Sequence, residues 1–469
     1  MADQQMQPDE PANDAPAHKV AIIGAGPAGL ATARALRAMD IPFTSFEKHS
    51  DVGGIWDIEN PGSPMYESAH FISSKTMSGH YGFPMPESYP DYPSNRQLLT
   101  YIRAFTETYD LRADIRFNTL VGNVERTANG WYLRTRSEND TTEEHNFRWL
   151  VCASGTNWLP NRPTLVGEDE FEGEVLHSVN YRDASMLRDR KVLVVGAGNS
   201  GVDIACDAAA NAESAYISLR RGYHFVPKHI FGMPADVFGA RSNWLPAWVQ
   251  QKTFGPLLRL LNGDLRRLGL PQPDHAVLSS HPILNSQLLH YLQHGDIAAK
   301  GAIDYLRGKQ VFFKDGSSIE VDTIILATGY HWQLPYLPAN TFAWEHERPQ
   351  TFLKIFNRND PSIFINGYVE TNGGAYKMFD DMAYLIANTI DTQRKGGNAA
   401  ERLAQFIQGP EPDLSGGVRY VESNRHSGYA NQQAYGKAMR KMRRAMGWPD
   451  LSEDFYAGHP TSAQVQSAI

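Results

Sequence analysis

The sequence predicts an α/β protein with two dinucleotide-binding, Rossmann-like domains, the second inserted in the first. A glycine fingerprint, Gly24-x-Gly26-x-x-Gly29, follows a short apolar run. The same spacing returns as Gly196-x-Gly198-x-x-Gly201, again after an apolar run. Two further apolar strands, at 150–155 and 324–330, end in small-residue turns that suit a chain passing from one domain into another.

The composition is that of an ordinary globular protein. The 469 residues are 42% hydrophobic and 20% charged, which leaves room for two or three domains. A net charge of −8 and a pI near 6.1 argue against nucleic-acid or anionic-membrane partners. No apolar run approaches the roughly 18–20 residues that span a bilayer.

Cysteine is scarce, with only Cys152 and Cys206 in the chain. This excludes a disulfide framework and also the closely spaced redox pair that disulfide reductases require. A reducing, cytoplasmic location is therefore expected. Three histidines, at 281, 290 and 294, lack a carboxylate or thiolate at ligand spacing, so no metal site is predicted.

The domain borders follow from these signals. Residues 1–17 are acidic and rich in Pro, Gln and Ala, which predicts a disordered leader, and 457–469 is interpreted as a flexible tail. The first domain is predicted to occupy 18–169 and to resume at 330–456, with the second domain at 170–329 between its two parts.

The first glycine fingerprint lies in a predicted βαβ unit. A strand at 19–23, a helix at 30–39 and a strand at 42–46 give that order. Gly26 lets the backbone approach a pyrophosphate at the helix N-terminus, and Glu47 can accept hydrogen bonds from ribose hydroxyls. The predicted cofactor-binding residues of this unit are Gly24, Gly26, Pro27, Ala28, Gly29, Glu47 and Lys48.

The second fingerprint repeats the pattern with a different ending. A strand at 190–195, a helix at 202–211 and a strand at 214–219 lead to Arg220 and Arg221, where the first unit ends in Glu47. Two cations there suit a 2′-phosphate, so the second unit is predicted to bind NADPH and the first FAD. Its predicted cofactor-binding residues are Gly196, Gly198, Asn199, Ser200, Gly201, Arg220 and Arg221.

A further pattern, Phe171-x-Gly173-x-x-x-His177-x-x-x-Tyr181, precedes the second unit. On this pattern the chain resembles the flavin-containing monooxygenases, class B single-component flavoproteins, over residues 18 to 450. Other stretches also match the family, in the same order along the chain. They are Gly53-Gly54-Ile55-Trp56 beside the flavin, His281-Pro282-Ile283-Leu284-Asn285 in the NADP region, and Ala327-Thr328-Gly329-Tyr330 at the hinge.

The resemblance implies further site residues, among which Lys75, Ile72 and Asn372 are predicted to be catalytic. Many members carry Asn-x-x-Lys beside the flavin; here Lys75 is kept and Ile72 replaces the Asn, as in the plant auxin-forming branch. This departure puts the substrate class and the lifetime of the oxygen adduct in doubt. Asn372 lies in a stretch, 367–374, that is expected to close over the flavin ring. The implied cofactor contacts are Gly54, Ile55, Trp56, His177, Tyr181, Ala327, Thr328 and Gly329, with His177 near the domain junction.

The activity that the resemblance implies is NADPH- and O₂-dependent oxygenation of a small-molecule amine or sulfide through a flavin C4a-(hydro)peroxide, as in N,N-dimethylaniline monooxygenases. Two alternatives stay open: a Baeyer–Villiger monooxygenase acting on ketones, and an NADPH oxidase that releases H₂O₂. Baeyer–Villiger enzymes usually carry Trp in the segment after the signature His, so Tyr181 favours the first interpretation. A non-catalytic nucleotide sensor is a distant further alternative. The oligomeric state stays open, a homodimer included.

Overall fold

The structure, a computed structural model, describes residues 19–242, 245, 247–421 and 428–456. The predicted leader at 1–17 and tail at 457–469 lie outside the described residues. Within the described ranges, no helix combines the length and the apolar character that crossing a bilayer requires.

Two five-stranded parallel sheets form the framework, and the three central strands of each are ones that the sequence predicts. The central strands, such as Val20–Ile23 and Thr323–Leu326, are buried runs, which is typical of parallel strands covered on both faces. The first sheet has the strand order Ile363–Ile365, Trp149–Cys152, Val20–Ile23, Phe43–Phe46 and Ile115–Arg116. The second has the order Ile297–Lys300, Ser214–Ser218, Lys191–Val195, Thr323–Leu326 and Glu174–His177.

Ten α-helices occur in the described part of the chain. The first two helices predicted beside the glycine turns are confirmed, each beginning three residues earlier than the apolar periodicity indicates. The helices are α1 Pro27–Arg37, α2 Lys75–Ser78, α3 Asn95–Thr108, α4 Asn199–Asn211, α5 Ala235–Arg241, α6 Ala247–Asn262, α7 Gln287–His294, α8 Tyr376–Lys395, α9 Gly397–Ile407 and α10 Gln432–Met446.

The smaller sheets are antiparallel except for two parallel pairs, Phe225–Val226 with Ile283–Leu284 and Glu370–Thr371 with Tyr429–Ala430. The hairpin turn predicted at 312–317 is confirmed. The three-stranded sheets are Thr119–Thr127, Gly130–Ser137 and Thr142–Phe147, and Ile303–Arg307, Gln310–Phe313 and Ser318–Glu320. The two-stranded pairs are Leu159–Pro160 with Tyr330–His331, Phe225–Val226 with Ile283–Leu284, His229–Ile230 with Met233–Pro234, Trp344–Glu345 with Arg348–Pro349, and Glu370–Thr371 with Tyr429–Ala430.

The second sheet is built from chain that lies between strands of the first sheet. From here on, the first unit is the part of the chain that builds the first sheet, and the second unit is the part that builds the second. The two connecting segments pair antiparallel at Leu159–Pro160 and Tyr330–His331. The chain at 165–172 already belongs to the second unit, since the Leu306 amide donates to the Val166 carbonyl at 2.8 Å. We therefore propose that the chain crosses between the units near residue 160, ahead of the border predicted at 169.

Candidate functional site

The first glycine turn leaves open space at its middle glycine. Gly24 has φ of +107°, and a Cβ there would lie 2.5 Å from the Ala153 carbonyl oxygen. A Cβ on Gly29 would lie 1.9 Å from the Gly24 carbonyl oxygen. At Gly26 the nearest atom is 3.6 Å away, an ordinary contact with Gly54. The fold therefore requires the outer two glycines, while the middle one keeps space for a molecule outside the chain.

The three glycines of the second turn differ in the same way: the outer two have no room for a Cβ, and the middle one has. A Cβ on Gly196 would lie 2.6 Å from the Ala327 carbonyl oxygen, and one on Gly201 would lie 2.1 Å from the Gly196 carbonyl oxygen. Around Gly198, no described atom lies within 4 Å of such a Cβ. Each turn is followed by a helix, α1 or α4, whose first amides face this space, so both turns can cradle a pyrophosphate.

Glu47 lies directly beside the first turn. Its side chain is 5% exposed, and its Oε2 accepts a hydrogen bond from the Ala25 amide at 2.7 Å. Its Oε1 accepts from the His49 amide at 3.1 Å. Burial raises the pKa of this carboxyl, and the two amides act against that rise. Each oxygen keeps a further lone pair, so the carboxylate can still accept a ribose hydroxyl.

In the second unit, the residue equivalent to Glu47 is one position earlier than the sequence predicts. Gly24 donates its amide to Phe46, and Gly196 donates its amide to Ser218 in the same geometry. Leu219 therefore occupies the place of Glu47, and Arg220 the place of Lys48. The second unit has no carboxylate at this place that would repel a 2′-phosphate.

The two arginines that follow are available to a ligand in different degrees. Arg220 is exposed, and Arg221 is partly buried with its guanidinium 5.4 Å from the Tyr223 ring centroid. Neither forms a salt bridge with another residue that the structure describes. Two unpaired guanidinium groups at the end of the strand favour a phosphate-bearing ligand.

The segment 66–75, here named the flavin-side loop, carries Ile72 and Lys75. The Lys75 ammonium donates to the carbonyls of Glu87 at 2.7 Å and Tyr89 at 2.5 Å. Its backbone amide donates to the Asp91 carbonyl at 2.8 Å. These contacts favour a role of Lys75 in holding the loop, and its predicted catalytic role stays a prediction.

Aromatic side chains meet beside this loop. The Trp56 ring packs edge-on against Phe71 at 5.2 Å, and Phe71 lies 5.4 Å from Tyr376, the first residue of α8. The chain before α8 is tightly packed, because a Cβ on Gly374 would lie 2.3 Å from the Met77 carbonyl oxygen. Trp56, Phe71 and Tyr376 form an apolar wall at the N-terminus of α8. Ile72 follows Phe71 in the chain and is partly buried.

Some buried polar atoms of the first unit lack hydrogen-bond partners. Within the part of the chain that the structure describes, they include Asn60 Oδ1, Ser78 Oγ and Thr371 Oγ1. Such atoms are costly in a folded protein unless a ligand or water satisfies them, so they fit a polar cofactor such as FAD. A separate cleft of about 500 Å³ is lined by Lys48, Asn60 and Arg136 among others, and the glycine turn and the apolar wall are not part of its lining.

Asn372 lies on the surface of the 367–374 stretch. Its Oδ1 accepts a hydrogen bond from the Gln432 amide at 2.9 Å, so it fixes this stretch to the start of α10. Its contact with a flavin ring stays a prediction.

The signature residues His177 and Tyr181 lie at the junction of the two units. The imidazole Nδ1 accepts from the Val179 amide, and Nε2 donates to the Gly329 carbonyl of the hinge at 3.1 Å. Burial lowers the pKa of His177, which keeps the ring neutral in this arrangement. The Tyr181 hydroxyl, fully buried, donates to Asp207 at 2.8 Å. The geometry favours a junction role, and their cofactor contacts stay predictions.

The glycine of the signature is required by packing. A Cβ on Gly173 would lie 2.5 Å from the Asp322 carbonyl oxygen and 2.6 Å from the Phe171 ring.

We expect Gly173→Ala to lower the free energy of unfolding by about 1–3 kcal/mol, because neither neighbour can move freely. Urea unfolding of the apoprotein measures this. Gly301→Ala, with no described atom within 4 Å, is the control and should unfold like the native protein; equal stability of both variants would contradict the expectation.

Sequence reasoning missed a set of residues that join the units. Asp203 and Asp207 stand four residues apart on α4 and accept hydrogen bonds from Tyr66 and Ser68. Asp236 accepts from Ser74. The sequence shows that Asp203 and Asp207 share one face of a predicted helix. It does not show their partners, which lie more than 130 residues away along the chain.

Comparison with known proteins gives a consistent result. Residues 17–413 match the flavin-binding monooxygenase-like family. A dimethylaniline monooxygenase [N-oxide-forming] 2 of Cavia porcellus is 30% identical over 386 residues, 77% of this chain and 71% of that protein. A probable indole-3-pyruvate monooxygenase of Arabidopsis thaliana is 28% identical over 341 residues, 70% of this chain and 79% of that protein.

Solved structures share the fold. The structure of oxidised steroid monooxygenase bound to NADP superimposes with a TM-score of 0.67 at 18% identity, covering 95% of this chain and 99% of that one. The predicted two-dinucleotide α/β fold is thereby confirmed.

Proposed function

The chain belongs to the flavin-binding monooxygenase-like family, and from that premise we propose that it oxygenates soft nitrogen or sulfur nucleophiles. It is a flavin-dependent monooxygenase whose cofactors are FAD and NADPH. The observation that carries the substrate class is the 30% identity to a relative named for N-oxide formation. The signature Tyr181 supports the same choice.

The residues of the first unit would hold FAD, which when bound accepts hydride from NADPH and activates O₂ for transfer. Gly26 leaves space for the pyrophosphate, and the free amides and positive dipole end of α1 stabilise its charge. Glu47 accepts ribose hydroxyls. The unpartnered oxygens of Ser78 and Thr371 supply polar contacts near the N-terminus of α8.

The residues of the second unit would hold NADPH. Gly198 leaves the corresponding space at the N-terminus of α4. Arg220 binds the 2′-phosphate as a charge-assisted contact, and Leu219 avoids the repulsion that a carboxylate at its position would cause.

The apolar wall keeps the reaction site dry. Trp56, Phe71 and Tyr376 pack on one another, and Ile72 adds an apolar side chain where many relatives carry an amide. Excluding water limits stray proton transfer to activated oxygen, which would otherwise leave as H₂O₂. No general base is needed in this scheme, and Lys75 contributes by holding the flavin-side loop.

A second candidate is oxygenation of a carbonyl compound, of the Baeyer–Villiger type. One observation favours it: a relative at 28% identity is named for indole-3-pyruvate, a carbonyl compound. Ile72, at the position where the family resemblance implies an Asn, is consistent with this choice.

A substrate panel separates the candidates. The purified holoenzyme is supplied with NADPH and, in turn, N,N-dimethylaniline, methyl phenyl sulfide, a cyclic ketone and an aromatic 2-oxo acid, and products are identified by mass spectrometry. We expect the N-oxide and the sulfoxide. Conversion of the carbonyl compounds alone would establish the second candidate. Oxidation of NADPH matched by reduction of O₂ to H₂O₂, with none of the four compounds oxygenated, would establish an NADPH oxidase.

A further inference from the structure

The flavin-side loop is fastened to the second unit at both of its ends. At the first end, the Tyr66 hydroxyl donates to Asp203 at 3.0 Å, and the Ser68 hydroxyl donates to Asp207 at 2.5 Å. At the other end, both the amide and the hydroxyl of Ser74 donate to Asp236, at 2.7 and 2.9 Å. Ile72 lies between these two attachments.

The three acceptors belong to two helices that follow the second nucleotide turn in the chain. Asp203 and Asp207 lie on α4, which begins directly after Gly198, and Asp236 lies in the first turn of α5. A shift of the second unit would therefore move both attachments of the loop. The Tyr66 and Tyr181 rings, 5.7 Å apart, pack at the same place and add to the first attachment.

These contacts differ from surface ion pairs. Every donor from the loop is neutral, and among the described residues no Lys, Arg or His nitrogen lies within 4.0 Å of the three carboxylates. Hydrogen bonds from neutral donors to carboxylates depend on geometry more than on ionic strength, because no opposite charge is present to be screened. Such an arrangement suits precise placement of the loop.

The attachment at Ser74 replaces an ordinary helix cap. Ser74 is the N-cap residue of α2, but its side chain makes no capping bond within that helix. Its hydroxyl and amide are instead both directed to Asp236 of the second unit. The start of α2, and with it Lys75, is held by a residue that lies 162 positions further along the chain.

We propose that Asp203, Asp207 and Asp236 form a carboxylate clamp, a set of positioning residues through which the second unit holds the flavin-side loop in place. The clamp keeps Ile72 and the apolar wall closed around the reacting atoms. This inference rests on the proposed function for its catalytic consequence: loosening the clamp admits water, so that more NADPH oxidation ends in H₂O₂ while the rate of NADPH oxidation is kept.

The first test uses the apoprotein and does not depend on activity. Hydrogen–deuterium exchange of peptides covering 66–75 is measured for Asp236→Ala and Tyr66→Phe. We expect exchange in these peptides to become roughly fivefold faster or more, with the rest of the chain unchanged, since each variant loses at least one hydrogen bond that holds the loop. Asp264→Ala is the control, because Asp264 is exposed and, among the described residues, its side chain bonds with Arg266 alone.

The second test measures the fraction of consumed NADPH that appears as H₂O₂ in the holoenzyme with its best substrate. We expect this fraction to rise in Asp236→Ala while kcat for NADPH consumption is kept. Asp236→Asn should restore both the slow exchange and the low H₂O₂ fraction, because its amide oxygen still accepts from Ser74.

Unchanged exchange at 66–75 in Asp236→Ala, or an Asp236→Asn variant as loose as Asp236→Ala, would overturn the clamp. If Asp236→Ala fails to fold, Ser74→Ala removes one donor and keeps the carboxylate, with the same expected results. If the native enzyme itself releases only H₂O₂ with every substrate, the proposed function fails, while the exchange experiment still decides the clamp.

Discussion

Gly26→Ala is expected to abolish tight FAD binding while leaving the apoprotein folded. The backbone at this position is extended, with φ of −77° and ψ of −179°, so any residue can adopt it. The added Cβ would meet Gly54 at 3.6 Å, an ordinary contact. The methyl group would instead occupy the space through which a pyrophosphate approaches the backbone.

The measurement is FAD titration of the apoprotein by flavin fluorescence, with thermal unfolding as the check on folding. We expect FAD affinity to fall by about two orders of magnitude, or roughly 2.8 kcal/mol, since the phosphate loses close backbone contacts. Gly301→Ala is the control and should bind FAD like the native protein. A Gly26→Ala protein that retains native FAD affinity would show that the cofactor does not bind at this turn.

Arg220→Ala is expected to raise KM for NADPH by about 10- to 150-fold, because a charge-assisted contact with a phosphate contributes about 1.5–3 kcal/mol. KM for NADH should change little, since NADH has no 2′-phosphate. The exposed guanidinium makes no salt bridge with a described residue, so its removal leaves the fold intact.

Steady-state kinetics with both nucleotides measure this effect. Arg266→Ala, an exposed arginine that pairs with Asp264, is the matched control and should leave both KM values unchanged. A native enzyme that uses NADH with an equal or better kcat/KM would contradict the assignment of the second nucleotide.

The glycine turns and the three central strands of each sheet were predictable because their determinants are local, whereas the edge strands of both sheets were not predicted. A short apolar run, a glycine at positive φ such as Gly24, and a helix with small residues at its start follow one another within about ten residues. The strand ends were predicted less well. Spacing alone made Arg220 the equivalent of Glu47 in the second unit. The hydrogen bonds that the Gly24 and Gly196 amides donate show that Leu219 is the equivalent residue.

The contacts between the units were not predictable from the sequence. Tyr181 is recognised in the sequence as part of the signature. Its hydrogen bond to Asp207 on α4 could not be predicted, because it depends on three-dimensional packing. Asp236 carries no motif, and it meets Ser74 only because the chain after the second sheet's strand Ser214–Ser218 folds back onto the flavin-side loop. Long-range packing of this kind leaves no periodic trace in the sequence.

We propose that this protein uses NADPH and O₂ to place one oxygen atom on a nitrogen or sulfur nucleophile. The most direct test supplies the holoenzyme with isotopically labelled dioxygen, NADPH and methyl phenyl sulfide or N,N-dimethylaniline, and follows NADPH consumption, H₂O₂ and product mass together. We expect one labelled oxygen in the sulfoxide or N-oxide, formed in proportion to NADPH consumed. Unlabelled product, or consumption of NADPH matched entirely by H₂O₂, would contradict it.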